Sequence, residues 1–255
     1  MKEPRLRPFR LDLHLHSVLS PCAELEMGAA EIAARAREIG LDGLALTDHN
    51  GSANVPALRR ACVGGPAVFA GAEVQTEEDI HVVSLFPDDE AALAFQGWLW
   101  ERLPSTPNDP AVFGYQLVVD EGGGILDQIE PLLVQGVAAG IDEVLREIRS
   151  RGGLSILAHV DRPSFSYTAV LGPVPPDVGA DGVEFSWRAP EEELRAFRRR
   201  LPHLPLLRSS DAHRLEDMRA DRTSLFLLES PCFEELRLAL RGEGGRRILE
   251  PCPFP

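Results

Sequence analysis

Six of the seven histidines, at positions 14, 16, 49, 81, 159 and 213, fall at or beside the ends of segments that read as β-strands, and only His203 stands apart. Scattered core or surface histidines do not collect in this way, and strand ends are where βα folds build their sites. The first such segment, residues 9–16, sets the pattern. In an extended strand successive side chains alternate, so His14 and His16 share one face while Leu11, Leu13 and Leu15 pack on the other. Two imidazoles on one face are half a metal site, because neutral imidazole is the commonest protein ligand for Zn, Mn and Fe.

The rest of the chain alternates strands with helices. Ala29, Ile32, Ala33, Ala36 and Ile39 recur at helical spacing before Gly40, and residues 41–47 then form a strand ending in Thr47-Asp48-His49-Asn50. A short helix around 55–62 leads to a strand over 67–74 that carries Glu73 near its end. The next strand, 80–86, starts with His81, and a helix follows through Trp98 and Trp100. Residues 104–136, with Pro104, Pro107, Pro110 and the run Gly122-Gly123-Gly124, read as an inserted loop or hairpin, a candidate lid. A helix over 141–150 precedes the strand 154–158, which delivers His159. Strands at 182–186, 204–209 and 223–228 follow, with helices at 191–200 and 233–241 and an extended tail at 250–255. The strand at 204–209 ends in Ser210-Asp211-Ala212-His213.

With 255 residues and 44% hydrophobic content, one α/β domain over 1–255 can bury a large core. No apolar run of spanning length occurs, and Met1 to Arg10 has no apolar region behind its charges, so a cytoplasmic protein without a membrane span or signal peptide is expected. Cysteines 22, 62, 232 and 252 show no C-x-x-C spacing and are expected as reduced thiols. Forty acids against 26 bases give a net charge of −14, which argues against an extended nucleic-acid platform. The sole lysine is Lys2, so Schiff-base and P-loop chemistry are excluded and a phosphate clamp must be arginine or metal.

Asp48, Asp161 and Asp211 each lie within two residues of a strand-end histidine and could ligate a metal or orient an imidazole. The segments Asp12-Leu-His-Leu-His-Ser17, Thr47-Asp-His-Asn50, Gly71-Ala-Glu73, His81, Ala158-His159 and Ser209-Ser-Asp-Ala-His213, in this order and spacing, resemble the PHP (polymerase and histidinol phosphatase) family over about residues 9–230. Stand-alone bacterial members carry a similar Ser-Pro-Cys and a similar Ala-His-Val-Asp-Arg-Pro. The resemblance implies a distorted (β/α)7 barrel with two or three divalent ions, Zn, Mn or Fe, at the C-terminal ends of the strands. His14, His16, Glu73 and Asp211 would hold one ion. Glu73 would bridge to a second held by His81 and His159, and His49 and His213 would hold a third. Where family members offer that third ion an Asp or His, this chain has Pro21-Cys22. Either Cys22 ligates as a thiolate, favouring Zn or Fe, or the third site is weak.

The expected function is a metal-dependent phosphoesterase with Glu73 and Asp211 as catalytic residues, in which a metal-activated water attacks a phosphate ester. A phosphomonoester of a small metabolite or nucleotide is the expected substrate and partner, with Arg162 and Arg188, each just beyond a strand end, gripping the phosphate. The alternatives are a short-oligonucleotide exonuclease, amidohydrolase-like chemistry with Glu73 in place of the usual lysine-derived bridge, and a non-catalytic metal-binding accessory module. Oligomeric state is open.

Overall fold

The computed structural model describes residues 5–249; Lys2, Cys252 and the tail at 250–255 lie outside them. In chain order the elements begin with β1 (Arg7–Asp12), α1 (Ala29–Glu38), β2 (Gly43–Leu46), α2 (Val55–Ala61), β3 (Ala67–Gln75), β4 (His81–Phe86) and α3 (Asp89–Trp100). Within the stretch 104–136 an antiparallel ribbon forms from β5 (Leu117–Val119) and β6 (Ile125–Gln128). Next come α4 (Ile141–Ser150), β7 (Leu154–Leu157), α5 (Tyr167–Val170), β8 (Gly182–Phe185), α6 (Glu191–Arg200) and β9 (Leu206–Arg208). The chain continues with β10 (Ser224–Leu228), α7 (Phe233–Arg241) and β11 (Arg247–Leu249).

Seven strands in the order β1-β2-β3-β4-β7-β8-β9 make a nearly closed, distorted barrel. Its seam closes beyond the strand ends. Leu15 bridges Ala212, the Asp211 amide donates to the His14 carbonyl at 2.9 Å, and the His16 amide donates to the Ala212 carbonyl at 3.0 Å. Below the seam β10 lies antiparallel on β1, and the Ser224 hydroxyl ties it to the backbone of Arg208 in β9. Barrel closure therefore draws His14, His16, Asp211 and His213 to one place.

Two details depart from the sequence reading. β4 runs antiparallel to both neighbours, whereas a (β/α)7 barrel would have it parallel. The connection from Gln75 to His81 is too short for the crossover that a parallel strand needs, so only a hairpin is open to it. The second detail concerns the paired histidines. β1 ends at Asp12, and the chain re-pairs at Leu15 with a different partner, so the strict alternation is lost. Leu11 and Leu13 join the core enclosed by the barrel, while Leu15 joins the layer between sheet and helices.

Those two cores explain the element pattern. The enclosed core takes Phe9, Phe69, Val83, Ile156 and Phe226 from the strands and is capped by Phe233, Leu236 and Leu240 of α7. The outer core takes the apolar stripes of the remaining helices. In α4 the stripe is Ile141, Val144, Leu145 and Ile148, all buried at i, i+3, i+4 and i+7. α3 starts at Asp88, whose carboxylate accepts from the Ala91 amide at 2.8 Å. α6 has glutamates in its first turn and arginines in its last, the order that suits the helix dipole.

Candidate metal centre

Glu73 stands at the centre of the barrel mouth and is 1% exposed. It reaches the mouth from β3, where Gly71 lets the strand approach β4 closely: a Cβ at 71 would run into the Ser84 carbonyl. The two carboxylate oxygens divide five imidazoles. Oε1 lies 3.2 Å from His14 Nε2, 2.9 Å from His81 Nδ1 and 3.3 Å from His159 Nε2. Oε2 lies 3.0 Å from His49 Nδ1 and 3.4 Å from His16 Nε2. Asp211 adds a second carboxylate, with Oδ1 at 3.3 Å from His14 Nε2 and 3.2 Å from His16 Nε2.

These separations have a simple geometric reading. Donor atoms bound about 2.1 Å from one cation stand about 3.0 Å apart at octahedral angles and about 3.4 Å apart at tetrahedral ones. The donors here fall at just that spacing, yet several are not aligned to bond each other. His49 Nδ1 and Asp211 Oδ1 are buried without a hydrogen-bond partner among the described residues, as are the ring nitrogens of His81 and His159 that do not face Glu73, Nε2 and Nδ1. Lone pairs that converge on shared points, rather than on one another, fit divalent cations. Three ligand groups emerge, His14–His16–Glu73, His49–Glu73–His81 and His16–His49–His213.

The electrostatics point the same way. Burial opposes the charge on His14, but the carboxylates of Glu184, Glu73 and Asp211 outweigh it and hold the imidazole protonated. A proton there takes the place of a cation. His16 is kept neutral by burial and by its neighbours His213 and His49. Burial works against the charges of Glu73 and Asp211, yet the imidazoles around them keep both carboxyls well below the usual range.

Cys22 is an exposed residue whose thiol lies within hydrogen-bonding reach of His49 and His213. Burial of its thiol raises the pKa, but the charges and hydrogen bonds of His49 and His213 more than reverse that and bring it to about 6. His213 is the least enclosed of the six histidines in the cluster, with Nδ1 at 3.0 Å from the Asp211 carbonyl and at 3.7 Å from Oδ1. Arg162 touches the cluster through Nη2, which donates to Asp211 Oδ2 at 2.6 Å. Arg188 lies further out, its guanidinium 4.8 Å from the Trp187 ring.

The supporting groups differ from those read in the sequence. His14 Nδ1 stands 3.1 and 3.2 Å from the two oxygens of Glu184, a fully buried acid in β8. A carboxylate can only accept, so Nδ1 carries the proton and Nε2 faces the carboxylates of Glu73 and Asp211. Glu184 escaped the sequence reading, although an acid inside a four-residue apolar strand was a usable signal. Asp48 acts on an imidazole only through Ser20: the Ser20 hydroxyl donates to Asp48 at 2.7 Å and lies 2.9 Å from His16 Nδ1. Asp161 orients no imidazole; its carboxylate accepts from the Ser186 amide and hydroxyl. Two residues of the cluster sit at positive φ, His159 at 29° and Asp211 at 49°, which costs about 1–3 kcal/mol each. The Asp211 amide bond to His14 and a 3.3 Å contact from the His159 amide to Glu184 hold them there.

The centre opens into a cavity of about 240 Å³ walled by Val134, Phe165 and Arg162 together with the cluster itself. Val134 belongs to the stretch 104–136, which is anchored to the site when Asn50 Nδ2 donates to the carbonyls of Leu133 and Gln135. The candidate lid is thus a fixed wall of the mouth in this structure. No described helix is long and apolar enough to cross a membrane.

No family model matches the chain, and no curated protein matches it. Solved structures share its fold. Endonuclease Q, in a complex with a 27-mer duplex bearing an abasic lesion at the active site, matches with a TM-score of 0.68 and 19% identity over 94% of this chain. The match covers 58% of the Endonuclease Q chain, so this chain spans less than three fifths of that protein. A two-domain protein from Bacteroides vulgatus that contains a predicted PHP-like metal-dependent phosphoesterase matches with a TM-score of 0.56 and 14% identity, over 96% of this chain and 65% of the other. An amidohydrolase from Chromobacterium violaceum matches with a TM-score of 0.56 and 19% identity, over 95% and 98%. The Endonuclease Q complex overturns the expectation of a small phosphorylated partner without a nucleic-acid platform. In that protein the same fold serves a duplex, and a charge summed over the whole chain does not describe the field at the mouth.

Proposed function

We propose that this chain, which has the fold of the PHP-like phosphoesterases, is a metal-dependent phosphoesterase whose substrate is a nucleic-acid strand. The metal-dependent half of the reading rests on Glu73, with two oxygens dividing five imidazoles and Asp211 closing the group at 3.2–3.3 Å, and the strand substrate rests on the fold shared with Endonuclease Q. In this reading His14, His16, Glu73 and Asp211 hold one divalent ion, and Glu73 with His81 and His159 a second. His49, His213 and Cys22 supply a third. Such ions, when bound, lower the pKa of a water toward neutrality and neutralise the oxygens of a phosphoryl group.

The protein's own groups do the rest. Glu184 holds the proton of His14 on Nδ1, and Ser20 with Asp48 orients His16. Arg162 spends one nitrogen on Asp211 and keeps further N–H groups facing the cavity, where a phosphate oxygen can accept them. Val134, half-buried, and Phe165, exposed, give this side of the cavity an apolar wall. The divalent ions that the centre would hold, with Arg188 beside it, would supply the local attraction that a chain of net charge −14 lacks at long range.

The test is cleavage of end-labelled oligonucleotides, resolved by length, with Mn²⁺, Zn²⁺ or Fe²⁺. The panel holds a duplex with an abasic site, the intact duplex and a single strand. Strand cleavage that disappears in His14→Ala supports the reading, and an intact panel with every metal refutes it. The Chromobacterium violaceum match favours amide hydrolysis as a second reading. Release of p-nitroaniline from acyl anilides, with the oligonucleotides left intact, would establish that instead.

A further inference from the structure

A second cavity, of about 450 Å³, lies beside the metal centre and shares Arg162 and Asp211 with it. Its remaining wall includes Ser186, Trp187, Arg188 and Arg222. Trp187 is 37% exposed, an unusual state for a tryptophan, in the loop that leaves β8. Arg222 lays its guanidinium 4.0 Å from the centroid of that ring and is held by Asp217 at 2.7 Å. Arg188 lies 4.8 Å from the same centroid and has no carboxylate partner among the described residues. The Asp161 carboxylate, which also borders the cavity, is occupied by Ser186.

The charges of this cavity therefore sort themselves. Three arginines and three aspartates line the cavity, so its formal charges balance: Arg162 and Arg222 pair directly with Asp211 and Asp217, Asp161 is held by Ser186, and Arg188 is exposed over the Trp187 ring with no carboxylate in contact among the described residues. Guanidinium and indole planes are the surfaces on which a nucleobase stacks, and an unmatched arginine is a phosphate donor. The volume suits one small ligand, within the range of about 300–1,000 Å³ usual for such pockets, and is far too small for a duplex.

We infer that this cavity seats the nucleotide adjoining the scissile phosphate, with its base against Trp187 and its phosphate on Arg188. The inference rests on the nucleic-acid reading of the neighbouring centre and adds to it the point at which a strand is gripped. Base recognition here depends on a flat surface and not on hydrogen bonds to base edges, so affinity follows the presence of a base more than its identity.

Equilibrium binding by fluorescence anisotropy tests this, using the full chain in chelator so that turnover plays no part. One probe is a fluorescein-labelled thymidine hexamer. The other is a hexamer of abasic residues with the same phosphates. Trp187→Ala should weaken the thymidine probe roughly tenfold and leave the abasic probe unchanged, and Trp187→Phe should restore binding. Arg188→Gln should weaken both probes. Thermal midpoints equal to the wild type show that the variants fold, and should Trp187→Ala not fold, Trp187→Leu, which keeps apolar bulk but no ring, takes its place with the same expected split between the two probes. Wild-type affinity in Trp187→Ala, or equal losses on both probes, overturns the base seat while leaving the nucleic-acid reading in place. A wild type that binds neither probe and cuts no strand overturns both.

Discussion

Replacing Glu73 by Gln preserves shape and removes one negative charge, at a residue whose oxygens stand 2.9–3.4 Å from five imidazole nitrogens. A glutamine can offer its carbonyl to one side of the group only. Its NH₂ then points at the other set of imidazoles, His14, His81 and His159 or else His16 and His49, where an acceptor is needed. Losing the carboxylate that would hold both ions in place should remove about 3–5 kcal/mol of transition-state stabilisation. At about 1.4 kcal/mol per decade, that is a loss of roughly two to nearly four decades in kcat/KM for strand cleavage. His213→Ala should cost less, since His213 is less enclosed and stands 3.7 Å from Asp211 Oδ1. The assay is steady-state cleavage of a labelled strand by both variants, with circular dichroism to show native folding. A Glu73→Gln enzyme within about threefold of wild type, or one more active than His213→Ala, would refute the bridging role.

Glu184→Gln should weaken metal binding about 10- to 100-fold, because the proton on His14 Nδ1 loses its carboxylate acceptor; competition with a fluorescent chelator measures it, and unchanged affinity contradicts it. Cys22→Ser should lower the metal content by about one ion per chain in elemental analysis, and the native thiol should resist alkylation until a chelator is added. Unchanged metal content, with a thiol that alkylates at the same rate with and without chelator, would remove Cys22 from the third site. At the other end of the barrel, hydrogen bonds from Arg246 hold the Glu235 carboxyl below its ordinary value of 4.5. A carboxyl depressed in the folded state stabilises above its unfolded value and loses that contribution as pH falls toward its folded one. Thermal midpoints of Glu235→Gln should therefore fall less steeply than wild type below about pH 4.5, and parallel slopes would contradict the pairing.

Much of the site was legible because its residues lie where patterns change, at the junction of an apolar strand and a polar loop. His49, Glu73, His159 and Asp211 could each be placed this way, and barrel closure brings them within a few ångströms. What the pattern misses is the residue that looks like core. Glu184 sits inside the apolar strand Gly-Val-Glu-Phe, a sign that it has a buried partner, but only the fold reveals that the partner is His14. Conversely, Asp161 follows a histidine closely and looks like its partner, yet the positive φ at His159 turns the chain and sends the carboxylate to Ser186. The reversed β4 was readable in principle, from a connection too short to cross over. The substrate expectation failed for a different reason: a sum over 40 acids and 26 bases says nothing of where the arginines stand. Arg162, Arg188 and Arg222 come from three separate loops and meet only in the fold.

The measurement that bears most directly on the central claim is the rate of strand cleavage as metal is titrated into the stripped protein. The account predicts no cleavage without metal, a rise that requires at least two equivalents per chain, and no response in Glu73→Gln over the same range. Full cleavage by the stripped protein, or none at any ratio of Mn²⁺, Zn²⁺ or Fe²⁺, would contradict it.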